Sequence, residues 1–352
     1  MQPVRMGVIC LGAMGTRHAE SIAHGRIRGM RLTAVSDRRP DRCVWARAAF
    51  PGVRTFADPE AMMRSGAVDA VLIATPHAQH PPLAEAAFAA GLHVLTEKPA
   101  GVSVTDVRRM IAAAPADRVF GVAWDRRTLP IYRRARAIVR SGALGVPRRL
   151  VWIVTDWYRT QSYYDSGRWR GTWAGEGGGV LLNQAAHNLD LWQWIFGMPD
   201  RLRAFCAFGK YHAVEIEDDA TIYAEYKNGA TAVFIASTGE YPGTNRLEIS
   251  GSCGSLVLEN GTIRLRQTAA HRSVAETAES PPTPNPQRAL LRNFSDAVRL
   301  GTPLIAPGAS GLPALTLSNA AYLSAWTDDW VTLPVDGAAF DAQLDRHIIR
   351  KD

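Results

Sequence analysis

The chain has 352 residues, 47% of them apolar, and a formal net charge of +7. That length exceeds what a single hydrophobic core usually serves, so two domains are expected. The absence of a run of about 18 apolar residues excludes a membrane-spanning helix, and arginines interspersed with acids, without a basic block, argue against nucleic acid as a partner.

Val4–Leu11 opens the chain as a strand buried on both faces of a parallel sheet, with no charged-then-apolar leader ahead of it. Gly15–His24 reads as a helix, Arg31–Ser36 as a strand and Arg42–Phe50 as a second helix. Ala70–Ala74 is another buried strand, and Pro82–Ala90 a helix closed by Gly91. His93–Thr96 and Val119–Ala123 complete a βαβα alternation, which implies an α/β, doubly wound parallel sheet. The pattern then changes. After a helix at Tyr132–Ser141, the strands Arg149–Asp156, Ala220–Tyr226, Thr231–Thr238 and Arg246–Ser250 alternate apolar with polar residues. Asn228-Gly229 and Asn260-Gly261 lie between strand-like runs, a hairpin signal. One helix, Val180–Phe196, enters this part, and Thr268–Arg288, polar and proline-rich, reads as a surface excursion. The expected domains are residues 1–123 and an α+β domain, residues 124–352, built on a mostly antiparallel sheet.

The turn Cys10-Leu11-Gly12-Ala13-Met14-Gly15 joins the first strand to the first helix and resembles a dinucleotide-binding turn whose first glycine is cysteine. Gly12 lets the backbone approach a pyrophosphate, Gly15 lets helix pack on strand, and the helix N-terminus offers N–H groups to phosphate. Cysteine is small enough for the first position provided its φ stays below zero. Asp37 ends the second strand, where a carboxylate accepts ribose hydroxyls, so NAD is expected; Arg38 and Arg39 behind it keep NADP open. The scattered Cys10, Cys43, Cys206 and Cys253 contain no CxxC pair, so neither a zinc site nor a disulfide framework is indicated and a cytoplasmic location is expected.

Lysine is scarce, confined to Lys98, Lys210, Lys227 and Lys351. Lys98 sits in Thr96-Glu97-Lys98-Pro99, at the carboxyl end of a strand, where ligands of open α/β sheets bind. Thr75-Pro76-His77 and His80 follow another strand at the same edge. Asn183, His187 and Asp190 are spaced four and three apart, along one side of a helix.

Together, the glycine turn, Ala74–His80, the Glu97-Lys98-Pro99 tripeptide and the stretch Gly175–Trp194 resemble the glucose–fructose oxidoreductase/inositol dehydrogenase (Gfo/Idh/MocA) family over nearly the whole chain. The resemblance implies a Rossmann domain, a C-terminal domain with an open-faced sheet, NAD(P), sugar or cyclitol substrates and a homodimer or homotetramer. It makes Lys98 and His187 the catalytic residues, His187 taking a hydroxyl proton while hydride leaves the same carbon. It departs from the inositol-dehydrogenase pattern at Asn183, where those enzymes have Asp. Asparagine can orient the imidazole or bind a sugar hydroxyl but supplies no charge, which shifts proton transfer toward Lys98.

Residues 152–173 are crowded with aromatics and arginines, suited to sugar faces and to hydroxyls or carboxylates. Tyr163, Tyr164, Trp169, Arg170 and, from the first sheet's edge, Arg127 are expected to bind substrate. Two other readings stand beside the dehydrogenase: an enzyme that cleaves a glycosidic bond through transient oxidation by NAD, and a non-catalytic nucleotide-sensing protein.

Overall fold

Two sheets carry the fold. The computed structural model describes residues 2–269, 272–279 and 285–349. The first sheet contains β1 (Val4–Ile9), β2 (Met30–Ser36), β3 (Arg54–Phe56), β4 (Ala70–Ile73), β5 (His93–Thr96) and β6 (Phe120–Val122), in the order β3-β2-β1-β4-β5-β6 and parallel throughout. Met6 and Val8 of β1 and Val71 and Leu72 of β4 are buried because helices cover both faces. The helix Ala13–Ala23 turns Gly15, His18, Ala19 and Ile22 inward, the three-and-four spacing of a helix face. The chain order reverses between β1 and β4, which opens a crevice at the carboxyl ends of the strands.

The second sheet contains β7 (Pro147–Val154), β8 (Arg201–Phe208), β9 (Glu217–Glu225), β10 (Thr231–Ser237), β11 (Asn245–Gly251), β12 (Gly254–Glu259), β13 (Thr262–Ala269), β14 (Arg272–Glu279) and β15 (Val331–Thr332). Their order is β14-β13-β12-β11-β7-β10-β9-β8-β15, antiparallel except at β7–β10. Leu150, Trp152 and Val154 face the core while Val151 and Ile153 stay half-exposed, so one face is covered and the other open. Trp192 of the helix Ala186–Phe196 stacks on Phe234 at 5.7 Å and joins the helix to the covered face. Both Asn-Gly pairs make hairpins; at the second, Asn260 (φ 49°) and Gly261 (φ 73°) both take the left-handed conformation such tight turns need.

Two expectations change. Within Thr268–Arg288, β13 and β14 pair from Thr262↔Glu279 to Ala269↔Arg272, and a helix starts at Pro286; residues 270–271 and 280–284 lie outside the described residues. The polar composition fits β14, which ends the sheet, since edge strands are commonly polar. The helix Val180–Phe196 is interrupted. Ala185 N–H donates to the Val180 carbonyl five residues back (2.7 Å), making a π-turn over Val180–Gln184 before the α-helix starts at Ala186. Asn183 and His187 therefore belong to different helical segments, and the α-helical repeat does not align them; His187 and Asp190 do share the α-helix.

By packing, the chain divides into Met1–Gly101, Asp106–Thr128 and Pro284–Leu312 as one unit, and Val102–Thr105, Leu129–Thr283 and Pro313–Asp352 as the other. A single cut after residue 123 differs from this division because the helix Pro286–Leu300 returns to the first core through Leu291 and Phe294.

Candidate functional site

In the first unit, β1 runs directly into the glycine turn. Cys10 has φ +72°, in the left-handed region, so the expectation of a negative φ is overturned: this position needs the conformation that favours glycine, and cysteine occupies it. Its amide donates to Ser36 O (2.7 Å), which locks the bend. Burial is the main effect on its thiol and pushes the pKa up, so the sulfur is a weak nucleophile. Cys10→Gly relieves about 1–2 kcal/mol of left-handed strain against about 0.5–1 kcal/mol of added chain entropy. The expected result is a melting temperature at or above the parent's, with NAD affinity kept or improved, read by thermal unfolding and NAD titration.

The two remaining glycines differ in kind. A Cβ on Gly15 would stand 1.9 Å from the Cys10 carbonyl oxygen, whereas one on Gly12 (φ −67°) would meet only Cys10 Sγ, at 3.8 Å. Gly15 serves packing, and the space at Gly12 is open. Ala13 and Met14 begin the helix, whose first-turn N–H groups have no intrahelical acceptor. Leu11 N–H donates to Asp37 Oδ2 (2.6 Å) and Arg39 N–H to Asp37 Oδ1 (2.9 Å), so the carboxylate is fixed with lone pairs left on both oxygens. Arg39 is held by Asp41, and Arg38 beside Asp37 remains at the cleft. Arg42 grips the turn from behind, donating twice to Leu11 O.

Cys10, Asp37, Arg38, Thr75 and Pro76 line one cleft of about 370 Å³, together with Gln79, Leu83 and Glu60, which sequence reasoning missed. The Thr75 hydroxyl is buried there with no partner among the described residues. An open cradle at Gly12, a fixed carboxylate and an unanswered hydroxyl fit a dinucleotide. His77 is buried, and His80 bridges Pro99 O and Thr75 O at 2.8 Å each, tying two strand-end loops together.

Lys98 follows β5, half-buried, and its bond to Pro99 is cis. Glu97 is buried, accepts from Lys98 N–H (3.0 Å) and meets His18 Nε2 at 2.6 Å. Burial alone would push the Glu97 carboxyl up; the His18 hydrogen bond and the charges of His18 and Lys98 outweigh it and hold the pKa below the usual range. Asp125, after β6, is pushed up to about 6 by burial and then by the Glu97 charge, with Arg126, Lys98 and His18 opposing. Lys98 thus stands in a buried, charge-coupled group, a setting typical of functional sites. Arg127 is buried, and its Nη1 donates to Ile305 O (3.4 Å) inside the same unit.

In the second unit, buried Glu217 sets the start of the π-turn. It accepts from Gly179 N–H, Leu181 N–H and the Tyr322 hydroxyl, each at 2.8 Å. Burial pushes its carboxyl up to about 8 against those three donors. A second buried carboxylate, Glu176, accepts from Asn183 Nδ2 (2.6 Å) and Gly171 N–H (2.8 Å). Sequence reasoning passed over both because neither lies in a periodic pattern. His187 and Asn183 are half-buried; Asp190 is buried and accepts from Gln193 Nε2 (3.1 Å).

The aromatic stretch separates by role. Tyr164 is buried, hydrogen-bonded to Thr238 Oγ1 (3.1 Å), and burial pushes its phenol up. Tyr163 is half-buried and accepts from Arg170 Nη1 and from Gln184 Nε2 (3.4 Å). The Arg170 guanidinium lies 4.3 Å from the Tyr163 ring and 4.4 Å from the Trp169 ring.

Comparison with known proteins agrees with the fold. Residues 4–123 match the family model described as an oxidoreductase family, NAD-binding Rossmann fold, and residues 132–257 match the GFO/IDH/MocA C-terminal domain. The chain is 29% identical to the myo-inositol 2-dehydrogenase of Thermotoga maritima, over 73% of this chain and 75% of that protein. It is 26% identical to the rhizopine catabolism protein MocA of Rhizobium meliloti, over 91% and 95%. The crystal structure of the WlbA dehydrogenase from Bordetella pertussis, in complex with NADH and UDP-GlcNAcA, superposes with a TM-score of 0.83 at 28% identity, covering 95% of this chain and all of that one. No helix among the described residues is long and apolar enough to cross a membrane.

Proposed function

We propose that this chain, which belongs to the Gfo/Idh/MocA family of oxidoreductases and carries its NAD-binding Rossmann domain, oxidises or reduces a hydroxyl-bearing carbon of a sugar, sugar derivative or cyclitol. The observation that carries the reading is the presence in one chain of a dinucleotide cleft with Lys98 on the same sheet edge and of a helix bearing His187 just after a carboxylate-backed Asn183. Bound NAD supplies the hydride acceptor or donor. The chain's residues handle binding and the proton. The Gly12 cradle, Asp37 and Thr75 hold the dinucleotide, with Arg38 the contact that would admit NADP.

Lys98 is proposed as a hydrogen-bond donor to substrate oxygen, and His187 as a group that takes or returns a hydroxyl proton. Imidazole suits such a step near neutral pH. Glu176 lies one hydrogen bond behind Asn183, so a carboxylate stands close to the place where inositol dehydrogenases carry an aspartate. That supports His187 as a base. Tyr163, Trp169 and Arg170 are the proposed substrate contacts, whereas buried Tyr164 acts through Tyr163, its edge-on neighbour at 5.2 Å. Phe205 and Tyr223, both exposed on the open face of β8 and β9, support a homodimer or homotetramer. The free thiols of Cys10, Cys43, Cys206 and Cys253 support a cytoplasmic location as part of this reading.

The test is a screen of sugars and cyclitols against NAD and NADP, following NADH absorbance and product together. One NADH per product molecule is expected. A cleaved glycoside with no net NADH would overturn the dehydrogenase reading.

A further inference from the structure

Within the second unit, Arg159 and Arg170 differ from the ion-paired arginines of the molecule. Arg5, Arg64, Arg109 and Arg246 each pair with a carboxylate. Arg159 and Arg170 have no carboxylate partner among the described residues. Instead both guanidiniums lie against the Tyr163 ring, at 4.9 and 4.3 Å from its centre. Two cations are thus held at one half-buried aromatic with no carboxylate in ion-pair contact among the described residues, an arrangement that favours an added anion.

Their placement is rigid. Arg159 N–H donates to Thr238 O (2.9 Å), and its carbonyl meets His212 Nε2 (2.9 Å). Gly171, directly after Arg170, is pinned by the Glu176 carboxylate that also holds Asn183. Three polar groups are left for a ligand. Arg159 Nε is buried without an acceptor among the described residues, and Gln184 Oε1 is buried without a donor. Tyr163 Oη already accepts from Arg170 and Gln184, so its own hydrogen must be donated elsewhere. Donors and cations dominate, with one acceptor that suits a hydroxyl. Gln184 ends the π-turn that leads into the α-helix bearing His187, so the cluster is continuous in chain with the segment of the proposed base.

We propose that Arg159, Arg170 and Tyr163 form an anion subsite, so that the substrate is a sugar or cyclitol bearing a carboxylate or phosphate rather than a neutral one. The inference rests on the dehydrogenase reading above and deepens it. Arginine suits the task because its planar fork meets a carboxylate or phosphate with two parallel hydrogen bonds. Gln184 Oε1 accepts from a neighbouring hydroxyl of the same substrate.

Matched compounds test it: D-glucuronate, D-glucose 6-phosphate and D-glucose, and the galactose series, each with the NAD-loaded chain. At least one anionic member should show kcat/KM tenfold or more above its neutral parent, and added salt should erode that advantage. Whether uronate or phosphate leads identifies the anion. Arg159→Gln and Arg170→Gln should each cut the anionic rate tenfold or more, and the double variant should lose the preference; Arg170→Lys, which keeps the charge, should retain part of it. Neutral sugars used as well as their acids would overturn the inference and leave the dehydrogenase reading standing. If no compound of the panel yields NADH, calorimetric binding of D-glucuronate against D-glucose still decides: binding of the acid alone supports the subsite, and equal binding or none overturns it.

Discussion

Lys98→Met should lower turnover by about 100- to 10,000-fold, the range removed with a general acid–base group, while the NAD dissociation constant stays within a few-fold of the parent's. The separation follows from where the interactions lie. The dinucleotide is proposed to rest on the Gly12 cradle, Asp37 and Thr75, all on the loops after β1, β2 and β4. Lys98 lies after β5, beyond them along the sheet. Methionine keeps the length and apolar stem of lysine and removes only the ammonium. The charge-coupled group should survive, because Glu97 retains His18 at 2.6 Å. Asp125, which Lys98 pulls downward, should titrate above its present value of about 6. His187→Ala should also depress turnover, by less if Lys98 carries most of the proton. Rapid-mixing measurement of NADH formation with a saturating substrate, beside NAD titration of the same variants, separates the two effects. Parent-like turnover in both variants would sink the assignment.

Much of this was legible in the sequence, for physical reasons that differ by region. Strands such as Ala70–Ile73 are buried on both faces, so their apolar runs stand out, and Gly91, in left-handed backbone, marks the end of the helix that precedes β5. The second sheet announced itself through alternation, because one of its faces is open. What stayed hidden depends on contacts distant in sequence. Glu217 caps the π-turn from 36 residues away, and no local pattern signals that a helix will be re-wound at Ala185. The helix Pro286–Leu300 looks like any amphipathic helix, yet its apolar face closes the first core. β14 looked like a surface excursion because an edge strand is held by its backbone, and the backbone leaves no mark on composition. At the site, the sequence flagged Tyr163, Arg170, Asn183 and His187, but only coordinates reveal that Glu176 links Asn183 to the backbone beside Arg170.

The glycine turn permits a sharper experiment than its motif does. Gly12→Ala and Gly15→Ala are the same chemical change three residues apart, and they should fail in opposite ways. At Gly15 the new Cβ would lie 1.9 Å from the Cys10 carbonyl oxygen and 3.0 Å from its carbon. Both are backbone atoms at the end of a buried strand, and they cannot move without breaking the Cys10 N–H bond to Ser36. Overpacking of this kind exceeds the usual 1–3 kcal/mol of an added core methylene, so a loss of about 4 kcal/mol or more is expected, in the exceptional range for one substitution. The variant should melt far lower or fail to fold, and NAD binding should disappear with the fold. Gly12 already has an ordinary φ of −67°, and its Cβ would touch only a sulfur at 3.8 Å. Folding should therefore be unaffected to within about 0.5 kcal/mol, as for a surface substitution. Only the dinucleotide would meet the methyl group, and NAD affinity should fall about 100-fold, the equivalent of two 1.4 kcal/mol decades. Thermal unfolding and NAD titration on the two variants read both quantities. If Gly12→Ala bound NAD as the parent does, the open space beside Gly12 would have no cofactor in it, and the dinucleotide would have to sit elsewhere on the sheet edge.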